Sequence, residues 1–125
     1  MKSIKYVGID FDGTIATEGS FPDVGELIPH APNVINKLKN RGFVIVIWTC
    51  REGEVAEKAK EFLDTNGISY DYFNENPCDL IAKYGNNCRK VGVDVFIDDK
   101  NIGCNGIDWL EIERHTDECW IVKEG

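Results

Sequence analysis

The sequence predicts an α/β fold: a Rossmann-like three-layer sandwich with a mostly parallel five-stranded sheet between helices. Three observations predict it. Short apolar runs alternate with segments of helical period in βαβαβ order. The apolar runs lack clean polar alternation, as expected of parallel strands covered on both faces. The chain has 125 residues, enough for a single domain over 1–125 with a real core.

The elements follow in order. Ile4 to Phe11 is a short apolar run suited to a central strand, and Gly13-Thr14 ends it. Ile15 to Ala31 is loop-rich, broken by Gly19, Pro22, Gly25 and Pro29, and has the length of a hairpin-like flap. Pro32 suits the first turn of a helix whose apolar face is Val34, Ile35 and Leu38, with Gly42 as its stop. Phe43 to Trp48 is the second strand. Glu52 to Thr65 is the second helix, with Val55, Ala59, Phe62 and Leu63 at helical spacing, and Asn66-Gly67 closes it. Ser69 to Phe73 reads as a third strand and Cys78 to Tyr84 as a weak helix. Val93 to Ile97 is the fourth strand, Asp108 to Arg114 a short helix, and Cys119 to Val122 a final edge strand.

Composition narrows the function. A formal net charge of -8 argues against a chain whose affinity comes from wrapping nucleic acid, leaving only a local basic patch open. No apolar run reaches the roughly 20 residues that span a bilayer, so no membrane is expected. The five cysteines are scattered and odd in number. Met1-Lys2-Ser3 leads straight into a strand-like run, so no export signal is expected. Reduced thiols in a cytoplasm are the expectation.

Parallel α/β sheets bind ligands beyond the carboxyl ends of their strands, which here are Ile9, Trp48 and Ile97. All three ends are polar. The first carries Asp10-Phe11-Asp12-Gly13-Thr14; on a continuing strand the two aspartates would face opposite sides, but Gly13 permits a turn that brings them together. The second carries Thr49-Cys50-Arg51 at the opening of a helix, a place suited to phosphate. The third carries Asp98-Asp99. Four carboxylates in one cleft repel one another unless a cation neutralises them, and oxygen-only ligands favour a hard ion such as Mg²⁺.

The run Asp10-Phe-Asp-Gly-Thr14 resembles the first signature of the haloacid dehalogenase superfamily. Thr49 stands where that family has its second-motif Thr or Ser, Asp98-Asp99 resembles the acidic fourth motif, and Lys90 is the best match to the third-motif lysine, with Lys83 and Lys100 competing. The resemblance implies a phosphatase. Asp10 would be the nucleophile and Asp12 the general acid/base. Mg²⁺ would be held by Asp10, the backbone carbonyl of Asp12 and Asp98, with Asp99 supporting. Thr49, Cys50, Arg51 and Lys90 would bind the substrate, Thr49 and Lys90 meeting the transferring phosphoryl group. For Arg51, pairing with Glu52 or Glu54 is the alternative.

Many relatives insert a cap domain after the first motif or between the second and third. Here those intervals hold only the flap and first helix, and then a helix, a strand and a connection. The resemblance is therefore to a capless core. Specificity in such an open site falls to the flap, to a neighbouring subunit of a homo-oligomer, or to the substrate itself. A small phosphorylated metabolite or nucleotide is the expected substrate. A polynucleotide 3′-phosphate is the macromolecular alternative, since the Asp-Gly-Thr-Ile-Ala, Thr-Cys-Arg-Glu and Ile-Asp-Asp-Lys runs are similar to polynucleotide kinase 3′-phosphatase domains. A non-catalytic binding module is the third reading.

Overall fold

The computed structural model describes residues 1–124. At its centre is β2 (Tyr6–Ile9), every residue of which is buried. It pairs in parallel with β3 (Val44–Ile47) on one side and β5 (Val95–Ile97) on the other, and β4 (Tyr72–Phe73) lies outside β3, giving the order β4-β3-β2-β5. The apolar composition of β2 and β3 follows from this place, since a central parallel strand has no wet face.

The sheet is not the single five-stranded one that the sequence predicts. The described strands form a four-stranded sheet and a separate two-stranded one, in which β1 (Lys2–Ile4) pairs in parallel with β6 (Trp120–Val122). The first apolar run is divided at Lys5. The amides of Lys5 and Tyr6 both donate to the same Asp94 carboxylate oxygen, at 2.9 Å each, while the Lys123 amide donates to the Ile4 carbonyl at 2.7 Å. A carboxylate that accepts two consecutive amides replaces a strand partner there, so the residues before Lys5 turn to the chain terminus.

The helices fall near their expected places. Helix α1 (Ala31–Arg41) ends at Gly42, whose φ of 108° is left-handed, and its amide bonds back to the Lys39 carbonyl. Helix α2 is Gly53–Thr65 and α3 is Cys78–Tyr84. Helix α4 runs Trp109–Cys119, beyond the expected end at Arg114. The Asp108 side chain caps its start by accepting from the Leu110 and Glu111 amides, and Arg114 pairs with Glu111 and Glu118 along its face, bridging the two turns. The expected third strand keeps only its last two residues. Ser69 and Asp71 bond instead to the Asn36 side chain and to Lys39 on α1, and the Asp71 carboxylate also accepts the Ile45 amide.

The core joins the sheet to α1, α2 and α4 through Val7, Ile9, Ile35, Leu38, Ile45, Ile47, Ala59, Leu63 and Trp109. Burial of this apolar surface is the main force that brings the three strand ends into one plane. The flap is a short hairpin: the Thr17 amide bonds the Glu26 carbonyl and the Ile28 amide bonds the Ile15 carbonyl, both at 2.8 Å. Among the described residues no helix is long and apolar enough to cross a membrane.

Candidate active site

Backbone bonds lock the strand ends together. The Asp10 amide donates to Ile97 O at 3.0 Å, and the Trp48 amide donates to Ile9 O at 2.9 Å. The residues just past those points therefore emerge at one edge of the sheet, as the order of parallel strands requires.

Asp10, Asp98 and Asp99 meet there, each half-buried, with one carboxylate oxygen from each within 4.8 Å of the others. Thr14, fully buried, sits beneath them. Its hydroxyl lies 3.2 Å from Asp10 Oδ2 and 3.4 Å from Asp99 Oδ1, and accepts the Asp99 amide at 3.2 Å. One hydroxyl carries one proton, so it serves Asp10 and Asp99 in turn. Gly13 makes the approach possible. Its φ is 85°, and a Cβ there would overlap the Asp99 carboxylate. Below Thr14, the buried Trp109 indole N–H donates to the Thr14 carbonyl at 2.9 Å.

The electrostatics of the trio are unbalanced. Burial, then the charge of Asp98 and a hydrogen bond with Asp99, push the Asp10 carboxyl up to about 7, against the Thr14 bond, which favours the ionised form. The donor set is all oxygen, converging and short of positive charge. It fits a hard divalent cation, which would return Asp10 to its ionised form. Of the expected metal carboxylates, Asp10 and Asp98 are brought together. Asp99, expected in a supporting place, stands in the group as their equal.

The Asp12 side chain has a different environment. Arg51 grips it with both arms of the guanidinium, Nε to Oδ2 at 2.7 Å and Nη2 to Oδ1 at 2.8 Å. Arg51 is 1% exposed. Its remaining N–H groups donate to the carbonyls of Pro22, Asp23 and Val55 at 2.8–3.3 Å. The centres of the Phe11 and Phe21 rings lie 5.4 and 5.3 Å from the guanidinium carbon. A guanidinium has five N–H donors, and all five are used inside the chain. None is left for a substrate phosphate, and neither Glu52 nor Glu54 is its partner.

Thr49 is half-buried, and its hydroxyl accepts the Arg51 amide at 3.3 Å; Cys50 is exposed beside it. Asn74, in left-handed backbone at φ 54°, clips this turn at both ends. Its side chain accepts the Thr49 amide at 2.8 Å and donates to the Arg51 carbonyl at 2.9 Å. Sequence reasoning missed Asn74. The one available signal was an asparagine just after a strand, the residue type that best tolerates this conformation.

No protein-family model matches the chain, and no curated protein does. A solved structure resembles it over nearly the whole length of both chains. A conserved protein of Bacteroides thetaiotaomicron is 32% identical, with a TM-score of 0.79, over 94% of this chain and 92% of that one. The chain belongs to the same family as that protein. A chain in the structure of the Pnkp1/Rnl/Hen1 RNA repair complex also matches, with a TM-score of 0.55 and 18% identity. It aligns with 98% of this chain but only 42% of its own length, and at that identity the likeness is one of fold.

In this family member the lysines are distributed unexpectedly. Lys90 is exposed, in the connection between α3 and β5, with its ammonium 5.6 Å from the centre of the Phe96 ring. Among the described residues no ion pair joins it, or Lys83, to the carboxylate trio. Lys100 is nearer. Its ammonium lies 3.9 Å from Asp99 Oδ2 and 2.6 Å from Glu18 of the flap. The five cysteines are all free.

Proposed function

We propose that the chain is a Mg²⁺-dependent phosphomonoester hydrolase of the haloacid dehalogenase type, working through an aspartyl-phosphate on Asp10. The observation that carries this reading is the contrast within the first motif. Asp10 stands among uncompensated carboxylates, and Asp12, on the same turn, is held in a fixed pose outside them.

The chemistry runs in two displacements. A carboxylate oxygen of Asp10 attacks phosphorus, and the bond from phosphorus to the leaving oxygen breaks as Asp12 hands that oxygen its proton. Asp12, now ionised, takes a proton from water. The water oxygen attacks phosphorus, releasing Asp10 and inorganic phosphate. Thr49 offers a hydrogen bond to the transferring group, beside the exposed Cys50. Asp10, Asp98 and Asp99, with the Asp12 backbone carbonyl, would hold Mg²⁺, whose charge would offset that of the carboxylates and the phosphoryl oxygens. Motif order gives the lysine of the site as Lys90. Position favours Lys100, and we assign the role to Lys100.

A small phosphorylated metabolite or nucleotide remains the favoured substrate class, since the net charge of -8 disfavours a polyanion. One observation supports the second reading, a polynucleotide 3′-phosphate: the fold neighbour belongs to an RNA repair complex. The test is a phosphate-ester panel spanning an aryl phosphate, sugar phosphates, nucleotides and 3′-phosphorylated oligonucleotides, with Mg²⁺ and with chelator. Mg²⁺-dependent turnover is expected, and Asp10→Asn should lower it by roughly 10³-fold or more. Preference for the oligonucleotides would select the second substrate class. No metal-dependent turnover anywhere on the panel would leave a binding module that keeps the fold.

A further inference from the structure

Arg51 is the most completely satisfied polar side chain of the site, and the proposed chemistry leaves it without a part. It joins three elements. Its backbone follows β3, its guanidinium forks onto Asp12 after β2, and its outer N–H groups donate to the Pro22 and Asp23 carbonyls at the flap tip. Burying a guanidinium carries a desolvation penalty that good geometry and full pairing must offset. Here every donor has an acceptor, and two aromatic rings lie within cation–π distance. Phe21 supplies one ring from the flap while remaining 66% exposed.

We propose that Arg51 is a positioning residue: it fixes the Asp12 carboxyl for proton transfer and makes that pose depend on the docked flap. The inference rests on the phosphatase reading and adds to it. A two-point fork sets both the plane and the direction of a carboxylate, which one bond does not. Each Asp12 oxygen keeps a second lone pair, so the proton that Asp12 takes from the attacking water has a fixed place on the carboxyl, from which it passes to the next leaving oxygen. The same guanidinium holds the flap by two carbonyls. When the flap tip lifts, Arg51 loses two of its five acceptors and one of its rings, and the orientation of Asp12 loosens. The flap thereby acts on catalysis through Arg51 without contacting the reacting atoms.

Leaving-group dependence reads this directly. An aryl ester expels a weakly basic oxygen and needs little help from a general acid, whereas an alkyl ester needs a well-placed proton. The measurement is kcat/KM, which reports steps up to formation of the aspartyl-phosphate, for p-nitrophenyl phosphate and for a simple alkyl phosphate with Mg²⁺. Arg51→Lys keeps the charge and removes the fork. It should lower the alkyl-to-aryl ratio by about tenfold, toward the ratio of Asp12→Ala. Phe21→Ala, at an exposed position that folding tolerates, should lower the ratio by about threefold. A structural role alone would lower both esters equally, so an unchanged ratio in a folded variant overturns the proposal. If Arg51→Lys fails to fold, Phe21→Ala decides in the same way. Wild-type protein that hydrolyses neither ester removes the phosphatase reading and this inference with it; wild-type turnover with unchanged ratios removes this inference alone.

Discussion

Asp10 and Asp12 sit on one turn, at neighbouring alternate positions, and the protein treats their charges in opposite ways. Asp10 is placed beside two more carboxylates, and its own carboxyl is driven up to about 7. Asp12 faces a buried guanidinium that meets both its oxygens. The first arrangement leaves a demand for positive charge that the described side chains meet only at the edge, through Lys100. The second meets the demand fully and in fixed geometry. An unmet charge is a place suited to a cation, and on the proposed reading to a phosphoryl group beside it; a met one is a place for a side chain whose orientation matters.

Removing the cation is the largest perturbation of this contrast. Chelation should abolish ester hydrolysis, by roughly 10³-fold or more. Mg²⁺ at a hundred times its dissociation constant should stabilise the fold by about 2.7 kcal/mol. For a domain of this size that is roughly 10 °C in Tm. The effect has a sign in pH. In the metal-free fold the Asp10 carboxyl lies above its ordinary 3.8, near 7, because burial and Asp98 oppose its ionisation. The folded state then holds a proton that the unfolded state releases, so metal-free stability falls as pH rises from about 4 to about 7. The Mg²⁺-induced rise in Tm should be greater at pH 8 than at pH 5, and Asp98→Asn should shrink the difference. An equal rise at both pH values would break the claim that the trio lacks positive charge.

The lysines test where the edge of that charge deficit lies. Lys100→Ala should lower kcat/KM by about 10- to 100-fold, since among the described residues its ammonium is the one that borders the trio. Lys90→Ala should change it by less than about threefold, because Lys90 lies over Phe96 in an exposed connection. The reverse result would restore the assignment that motif order makes.

Some of this was legible in the sequence, for identifiable reasons. The Asp-x-Asp turn, Thr49 and Asp98-Asp99 come directly after apolar runs, and a parallel sheet gathers the residues just past its strands at one edge. Helices α1 and α2 announced themselves by spacing and by Gly42 and Asn66-Gly67. The break at Lys5 was hidden because its cause, Asp94, is far along the chain and reads as an ordinary residue of the fourth strand. Arg51 was hidden for the same kind of reason. Local spacing offered Glu52 and Glu54 as partners, and the true partner lies upstream on another strand end. Asn74 and Lys100 belong with these. Pairings within a few residues are written in the sequence; those made by folding are written only in its three-dimensional closure.

The smallest perturbation separates the two halves of the site most cleanly. Trp109 is 1% exposed, and its indole N–H donates to the carbonyl of Thr14, whose hydroxyl serves Asp10 and Asp99. Trp109→Phe keeps an aromatic ring in the core and deletes the donor. A buried carbonyl left without its partner costs about 1–3 kcal/mol, to be read as a lower Tm. If Thr14 is the floor of the charge-poor half alone, its loosened position should weaken Mg²⁺ binding a few-fold in a thermal-shift titration. The Arg51–Asp12 half has no bond to Trp109 or Thr14 among the described residues, so the alkyl-to-aryl ratio should stay at the wild-type value. A variant that shifts the ratio as well would mean that the two halves are one network, and that the contrast between Asp10 and Asp12 is one of degree.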